Sequence, residues 1–257
     1  MENNNLFDIF LNDDFIKDFT LGNDSETRSS VSLINTYMMM LDSDNSANWT
    51  AEMRHECAQI VQKQLCHILQ SSELYGRIFD MLFCKDLPVE LVDMKAFFDS
   101  FTDCVQRSLD GICVIELQSG GRLFAKSNKK MLNFMLLLYI RSAVLDGAVN
   151  ITMVYSAEGS DFVIGIKINK KSAELKNQYP NDDFFAKYQS HMNDAFAKKL
   201  GGEIFETNDQ IKIILPNCIF KKDSGLVMKE ASFDNDMGIL NPYNIMLSDI
   251  SNNLICW

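Results

Sequence analysis

The stretch from Ala195 to Pro216, AFAKKLGGEIFETNDQIKIILP, is the feature that most constrains the fold of this chain. A helical segment ends at the Gly201-Gly202 turn, and two apolar strands follow, separated by a polar turn. The strands are predicted at 203–206 and 210–215. A helix followed directly by a hairpin buries its apolar side by packing on the sheet that the hairpin joins. The second half of the chain is therefore expected to layer helices on a sheet.

Two long helices with apolar stripes are predicted in the first third of the chain. The first covers 26–41, and the second covers about 49–83 beyond a polar turn at 42–48. Both stripes have the three-four spacing of one helix face: Val31, Ile34, Met38 and Leu41, then Met53, Cys57, Ile60, Val61, Leu65, Ile68 and Leu69. An antiparallel hairpin cannot bury both stripes alone, so we expect a homodimer with a four-helix bundle.

The chain divides into four predicted segments. Residues 1–22 form an N-terminal amphipathic helical segment that ends at a break in Gly22-Asn23-Asp24-Ser25, where Ser25 is expected to cap the next helix. Residues 23–86 form the helical hairpin, and residues 87–218 form a sandwich domain. Residues 219–257 hold isolated apolar side chains and are expected to be an irregular tail packed on the rest of the protein.

Residues 87–218 are predicted to form a two-layer α/β sandwich, which makes the fold class α+β. Helices are expected at 92–109, 131–144 and 183–200, and strands at 112–117, 149–156 and 162–169. A further short strand at 122–125 is expected to pair back on the strand at 112–117 through the Gly120-Gly121 turn.

Composition excludes several classes of function. A formal net charge of −11 opposes binding to nucleic acid or to an anionic membrane surface. The acidic start does not fit a secretion signal. The apolar runs are too short to predict a membrane span. The seven cysteines show no metal-binding spacing, so we expect reduced thiols in the cytoplasm and, with only three histidines, no metal site.

The order of hairpin, linker helix and sandwich over residues 15–217 resembles the core of a sensor histidine kinase. Ser25-Glu26-Thr27-Arg28-Ser29-Ser30 lies in register with that family's S-H-E-L-R-T-P motif, with Glu26 and Arg28 matching. The acceptor histidine falls on Ser25 and the proline on Ser30. Leu91-Val92-Asp93-Met94 is similar to the P-V-D-L that opens the family's linker helix.

The residues that bind ATP in that family are missing at three places. The helix with the family pattern N-L-L-x-N-A reads Phe134-Met135-Leu136-Leu137-Leu138-Tyr139-Ile140-Arg141, without the asparagine that holds magnesium. Asn169-Lys170-Lys171-Ser172-Ala173 stands in place of D-x-G-x-G, and Lys187-Tyr188-Gln189-Ser190-His191 in place of the glycine-rich lid. ATP and magnesium are therefore not expected to bind by the family's route.

The resemblance implies a degenerate histidine kinase core for bacterial two-component signalling, similar to kinase-like histidine phosphotransferases. The first hypothesis is a non-catalytic pseudokinase whose bundle binds a response regulator receiver domain or a histidine kinase. Its expected partner-binding residues are Ser25, Glu26, Arg28, His67, Gln70 and Tyr75.

An enzymatic alternative remains open. An ATP-independent phosphotransferase would carry a phosphoryl group between receiver domains on His67 or His55, because serine cannot replace the acceptor histidine chemically. A hairpin folded near residue 45 would place residue 25 level with residue 65, close to His67. A third reading, a kinase that binds nucleotide in an altered pocket, conflicts with the missing motifs.

Overall fold

The computed structural model describes residues 13–42, 49–83, 88–119, 121–174, 184–207, 209–216, 219–220, 241–248 and 250. The chain forms a helical hairpin followed by a two-layer α/β sandwich, which confirms the predicted α+β fold class. No helix within these ranges combines the length and the apolar character needed to span a bilayer.

Two long antiparallel helices form the hairpin, α1 (Asp13–Asp42) and α2 (Ala51–Phe83). Near the base of the hairpin, the hydroxyl groups of Thr20 and Tyr75 share a hydrogen bond of 3.1 Å. The rings of Phe19 and Tyr75 lie 5.5 Å apart there, and Phe19 is buried. The predicted hairpin is confirmed, while most of the predicted turn, residues 43–48, lies outside the described residues.

The break predicted at Gly22-Asn23-Asp24-Ser25 is wrong, because α1 runs through it without interruption. A glycine inside a helix costs about 0.5–1 kcal/mol relative to alanine. Burial of Phe19, which packs on Tyr75 of α2, anchors the helix just before this site and offsets that cost. Ser25 is consequently an exposed residue within a helix, rather than its cap, and the boundary placed at residue 22 falls inside α1.

Among the described residues of the sandwich, the helices α3 (Met94–Leu109), α4 (Lys129–Leu145) and α5 (Phe184–Lys199) lie at the predicted places. Its strands are β1 (Glu90–Asp93), β2 (Val114–Ser119), β3 (Phe124–Ser127), β4 (Ala148–Glu158), β5 (Asp161–Lys171), β6 (Glu203–Glu206), β7 (Gln210–Leu215) and β8 (Ile219–Phe220). The Asp93 carboxylate caps α3 by accepting from the backbone N–H groups of Lys95 and Ala96. The Asn128 side chain caps α4 in the same way.

The main sheet has five strands in the order β2-β4-β5-β7-β6, with β2 and β4 parallel and the other pairs antiparallel. The pairing predicted between residues 122–125 and 112–117 is wrong, because β3 joins β1 and β8 in a separate three-stranded sheet. Gly121, at φ 98°, redirects the chain, and the Tyr155 hydroxyl donates to its carbonyl at 3.0 Å. Arg122 then reaches Asp93 at 2.8 Å, which ties this turn to β1.

One contiguous apolar core joins the sheet, the helical layer and the base of the hairpin. Phe98 of α3 stacks on Tyr155 of β4 at 4.9 Å, and α4 is buried on nearly every side. Phe19, Leu74 and Ile78 of the hairpin belong to the same cluster.

The described part of the C-terminal tail departs from the irregular structure that was predicted. Pro242–Leu247 form a short helix, α6, which packs against α2, α3 and α4. Asn241 is its N-cap residue. Asn241 and Pro242 supply its N-terminal signal, a cap followed by proline. Ile245, Met246, Leu247 and Ile250 are buried, which confirms that this part of the tail packs on the rest of the protein.

Candidate functional site

The position that corresponds to the family's acceptor histidine lies on the exposed surface of α1. Ser25, Glu26 and Arg28 are all solvent-exposed. The Arg28 guanidinium donates to Asp24 at 2.8 Å, one helical turn away, and this hydrogen bond raises the pKa of Arg28. An exposed serine hydroxyl is a weak nucleophile unless an adjacent base activates it.

Ser25 lies at a different height along the hairpin from the one predicted. The Thr20–Tyr75 hydrogen bond fixes the register of the two antiparallel helices. Because both helices rise equally per residue, Ser25 is level with about residue 70 rather than residue 65. His67 is therefore within about one turn of Ser25 in height.

The two candidate histidines have different surroundings. His67 is half-buried and shares the helix face of Ser71, Leu74 and Ile78, which are buried. His55 is exposed near the start of α2, and its Nε2 accepts a hydrogen bond of 3.0 Å from the Gln59 side-chain amide. Of these two histidines, only His67 lies at a height along the hairpin close to that of Ser25.

Gln70 and Tyr75 separate in the structure, although both were assigned to one outer surface. Tyr75 is 37% exposed. Gln70 is fully buried, and its amide donates to the Ser248 hydroxyl at 3.3 Å. The assignment of Gln70 to the outer surface is wrong, because the tail, unexpected at this position, covers it.

A groove of about 580 Å³ runs along α2 beside Tyr75. Its lining includes Leu69, Ser72, Gly76 and Phe79 of α2 and Ile245 of α6. Gly76 has nothing within 4 Å of the place where a Cβ would stand, so the groove is open at this point. Phe79, at 56% exposed, provides an apolar wall on the solvent side.

An outward apolar seam follows α2 with the spacing of a coiled coil. Val61, Leu65, Ile68, Ser72, Tyr75 and Phe79 recur at alternating intervals of four and three residues. Leu65 is 44% exposed, and none of the six is fully buried. Val31 and Met38 are similarly exposed on α1, one heptad apart. The hairpin thus carries apolar surface that a single chain leaves uncovered.

The position of the family's nucleotide is bounded by α4, the end of β5 and the start of α5. In α4, the Tyr139 hydroxyl donates to Glu206 Oε1 of β6 at 2.5 Å. Burial, followed by the hydrogen bond to the Glu206 carboxylate, raises the pKa of Tyr139, so the phenol stays protonated. Asn193 of α5 is fully buried beside this pair.

The other two borders of this position are regular secondary structure. β5 continues through Lys171, and the Asn169 side chain donates to Asn150 and Thr152 on neighbouring strand β4. Residues 187–191 lie within α5, where backbone N–H groups beyond the first turn are used by the helix itself. Residues 169–171 and 187–191 are thus regular strand and helix, unlike the glycine-rich segments that hold a triphosphate in the family.

These residues do not fit a magnesium–nucleotide complex at the family position. Leu136, Leu137, Leu138 and Ile140 carry no oxygen ligand, and the Tyr139 hydroxyl is bonded to Glu206. Throughout the described part of the chain, no group of three or more His, Cys, Asp or Glu side chains is arranged to hold a metal ion. The lack of ATP and magnesium binding stays a prediction that needs direct measurement.

Solved structures similar to this chain are histidine kinases. Acinetobacter baumannii histidine kinase AdeS matches with a TM-score of 0.53 and 15% identity, over 74% of this chain and 95% of that one. Full-length ShkA, solved in complex with AMPPNP, matches with a TM-score of 0.52 and 9% identity, over 80% of this chain and 46% of that one. No protein-family model matches the chain, and no curated protein sequence does either.

The chain therefore has the fold of a histidine kinase core. The predicted resemblance is confirmed at the level of the fold. Sequence reasoning missed the Tyr139–Glu206 pair and the docking of α6, since both depend on residues that are distant in the sequence. The Asn241-Pro242 pair was the local signal that could have revealed α6.

Proposed function

We propose that this protein is a non-catalytic signalling protein with a histidine-kinase-like fold, a pseudokinase that acts by binding another protein. The observation that carries the proposal is the contrast between an intact fold and a nucleotide position built from apolar side chains and the Tyr139–Glu206 pair. Chemistry on ATP is lost while the surfaces of the fold are kept.

The protein acts as a homodimer in this proposal. The seam on α2 has the coiled-coil spacing that packs helices at a shallow angle in four-helix bundles. A second copy supplies the same seam, and a two-fold interface pairs the same surface of both copies. Burial of an exposed Leu or Phe side chain contributes about 1.5–3 kcal/mol, so a few such residues on each chain supply a useful driving force.

The proposed partner is a response regulator receiver domain or a histidine kinase. The resemblance implies that a regulator would dock beside the acceptor position, and Ser25, Glu26 and Arg28 are exposed there on α1. Tyr75 lies at the base of the same hairpin, within the seam that the second copy is proposed to cover, so its contribution to partner binding is expected to be the smaller one. The exposed polar residues of α1 have the composition of the rim of a protein-binding surface.

The direct test is binding of purified receiver domains from the same organism to the immobilised full chain. Arg28→Glu reverses an exposed charge and is expected to weaken binding at least tenfold, with a smaller loss for Tyr75→Ala. The matched control is Arg107→Glu, an exposed arginine on α3 that also pairs with an aspartate one turn away. Equal binding by all three variants and the unmodified chain would remove the assignment of this surface.

A phosphotransferase is the second candidate. It is favoured by the height of His67 along the hairpin, which differs from that of Ser25 by about one helical turn. In this reaction the imidazole nitrogen attacks the phosphorus of an aspartyl phosphate, the aspartate oxygen leaves, and a second receiver later takes the phosphoryl group. Incubation with a receiver labelled on its phosphate is expected to label the chain at His67, or at exposed His55. Label that never appears, or that persists in the His67→Ala, His55→Ala double variant, excludes these histidines as acceptors.

A further inference from the structure

The short helix α6 lies where the hairpin meets the sandwich. It contacts α2 of the hairpin and also α3 and α4 of the sandwich. Met246 and Leu247 are completely buried, and Ile245 and Ile250 nearly so. Met246, Leu247 and Ile250 belong to the same apolar core as Leu74 and Ile78 at the base of the hairpin.

One side-chain hydrogen bond connects the α6 segment to each of the three helices around it. Gln70 of α2 donates to the Ser248 hydroxyl at 3.3 Å, and Ser108 of α3 donates to the Asn244 carbonyl oxygen at 2.9 Å. The Tyr243 hydroxyl donates to Asn133 of α4 at 2.8 Å. Burial drives the segment into place, and the three bonds fix its register, because each buried polar group requires its own partner.

The local sequence is suited to forming a helix at this place. The Asn241 side chain accepts from the Asn244 backbone N–H at 2.8 Å, and Pro242 occupies the first turn, where its missing N–H is not needed. A helix of six residues is unstable alone in water, so its stability comes from docking. The docked state can therefore be lost while the sandwich and the hairpin keep their own secondary structure.

We propose that α6 is a clamp that holds the sandwich in one orientation against the helical hairpin. Hairpin and sandwich are joined in the chain between α2 and β1, and a contact between them that is distant in sequence restricts their relative rotation. Undocking of α6 removes the Gln70–Ser248 bond and the apolar bridge and leaves the direct packing of α2 on α5, so the orientation of the sandwich against the hairpin becomes less restricted. This inference does not depend on the proposed function.

Two cysteines report on the clamp. Cys104 of α3 lies beside Tyr243, on the same helix face as Phe101 and Ser108, which contact α6. Cys113 is completely buried next to the sheet, where burial raises its pKa to about 12. Cys104 is half-buried, so loss of α6 exposes it further and leaves Cys113 protected, whereas unfolding of the sandwich exposes both.

The test compares two aspartate substitutions within α6 of the full chain. Leu247→Asp places a charge at a completely buried position, and Pro242→Asp adds the same charge at an exposed position of the same helix. Alkylation of each cysteine is followed by mass spectrometry, and the radius of gyration is measured by small-angle X-ray scattering. We expect Leu247→Asp to speed alkylation of half-buried Cys104 about threefold or more, leave the rate at Cys113 within twofold and increase the radius of gyration, while Pro242→Asp matches the unmodified chain.

Three results would overturn the clamp. Unchanged alkylation of Cys104 in Leu247→Asp would show that α6 does not cover it. An equal rise at Cys104 and Cys113 would make α6 an inseparable part of the sandwich core. Faster alkylation of Cys104 without any change in scattering would show that α6 undocks without freeing the sandwich. Asn244→Ala, a milder variant that removes the acceptor for Ser108, is expected to give a smaller rise at Cys104 alone.

Discussion

Helices α2 and α4 are both rich in apolar residues, but they meet very different surroundings. Nearly every side chain of α4 is buried, and the helix packs on β4 of the sheet, on α5 and on α6. Helix α2 buries Leu74 and Ile78 at its base and leaves Leu65 and Phe79 about half exposed. The sandwich closes its core within one chain, and the hairpin does not. The difference is the reason for proposing the dimer surface on the hairpin.

A similar contrast exists between the core of the sandwich and the family's nucleotide position. The core of the sandwich depends on packing between α3, α4 and the sheet, and none of those contacts requires a nucleotide. The nucleotide position is bounded by the Tyr139–Glu206 pair and by regular structure, both of which stabilise the protein without a ligand. An intact fold is therefore compatible with the proposed loss of ATP binding.

The largest expected effect comes from a substitution in the core of the sandwich. Phe98 is completely buried and packs on Tyr155, Phe97 and Phe162. Phe98→Ala should lower the free energy of unfolding by about 3–5 kcal/mol, the usual cost of removing a buried aromatic ring. Phe205→Ala, at a residue 52% exposed, is the control and should change it by less than about 1 kcal/mol. Equal losses in chemical denaturation would contradict the assignment of the core.

The second effect concerns the seam of the hairpin. Leu65→Asp places a charge on α2 where a second copy is proposed to pack, so the dimer dissociation constant should rise at least tenfold, about 1.4 kcal/mol. Phe205→Asp puts the same charge on an exposed apolar residue of the sandwich and should leave dimerisation unchanged. Sedimentation equilibrium measures both. A chain that is monomeric before substitution, or a dimer insensitive to Leu65→Asp, would refute the seam.

A smaller effect is expected at the nucleotide position. Tyr139→Phe removes the hydrogen bond to Glu206 and should reduce the free energy of unfolding by about 0.5–1.5 kcal/mol. Glu206→Gln retains an amide oxygen as acceptor and should cost less. Thermal and urea denaturation of the two variants test the pair, and a stabilising effect of Tyr139→Phe would show that the bond opposes folding.

The smallest effect is a dependence on alkaline pH. Burial raises the pKa of the Cys113 thiol from its ordinary value near 9 to about 12 in the folded protein. Between those values the unfolded chain has released this proton and the folded chain retains it, so stability is complete below pH 9 and falls as the pH rises toward 12. The slope is at most about 1.4 kcal/mol per pH unit for this group. Cys113→Ala should flatten the decline in urea denaturation measured from pH 8 to 10.5, and an unchanged slope would exclude Cys113 as its source.

Much of the architecture was predictable because periodicity reports directly on local structure. The strands at Glu203–Glu206 and Gln210–Leu215 begin and end as predicted, and α4 appears from its apolar run. The error at Gly22-Asn23-Asp24-Ser25 arose because local helix-breaking residues were weighed without the packing around Phe19 that overrides them.

The candidate site was less predictable than the fold. Exposure of Ser25, Glu26 and Arg28 follows from their helix face, but burial of Gln70 depends on Ser248, which lies 178 residues away. The Tyr139–Glu206 bond likewise joins residues that no local pattern connects. Contacts of this kind depend on tertiary packing, which the periodicity of a single sequence does not reveal.

The most direct test of the central claim, a histidine kinase fold that does not use nucleotide, is calorimetric titration of the full chain with ATP and ADP in the presence of Mg²⁺. A thermal-shift series on the same samples guards against binding without a heat signal. The account predicts no binding up to millimolar nucleotide and no shift in Tm. Binding at micromolar affinity, with a rise in Tm that saturates, would contradict it and restore a nucleotide-dependent activity to the sandwich.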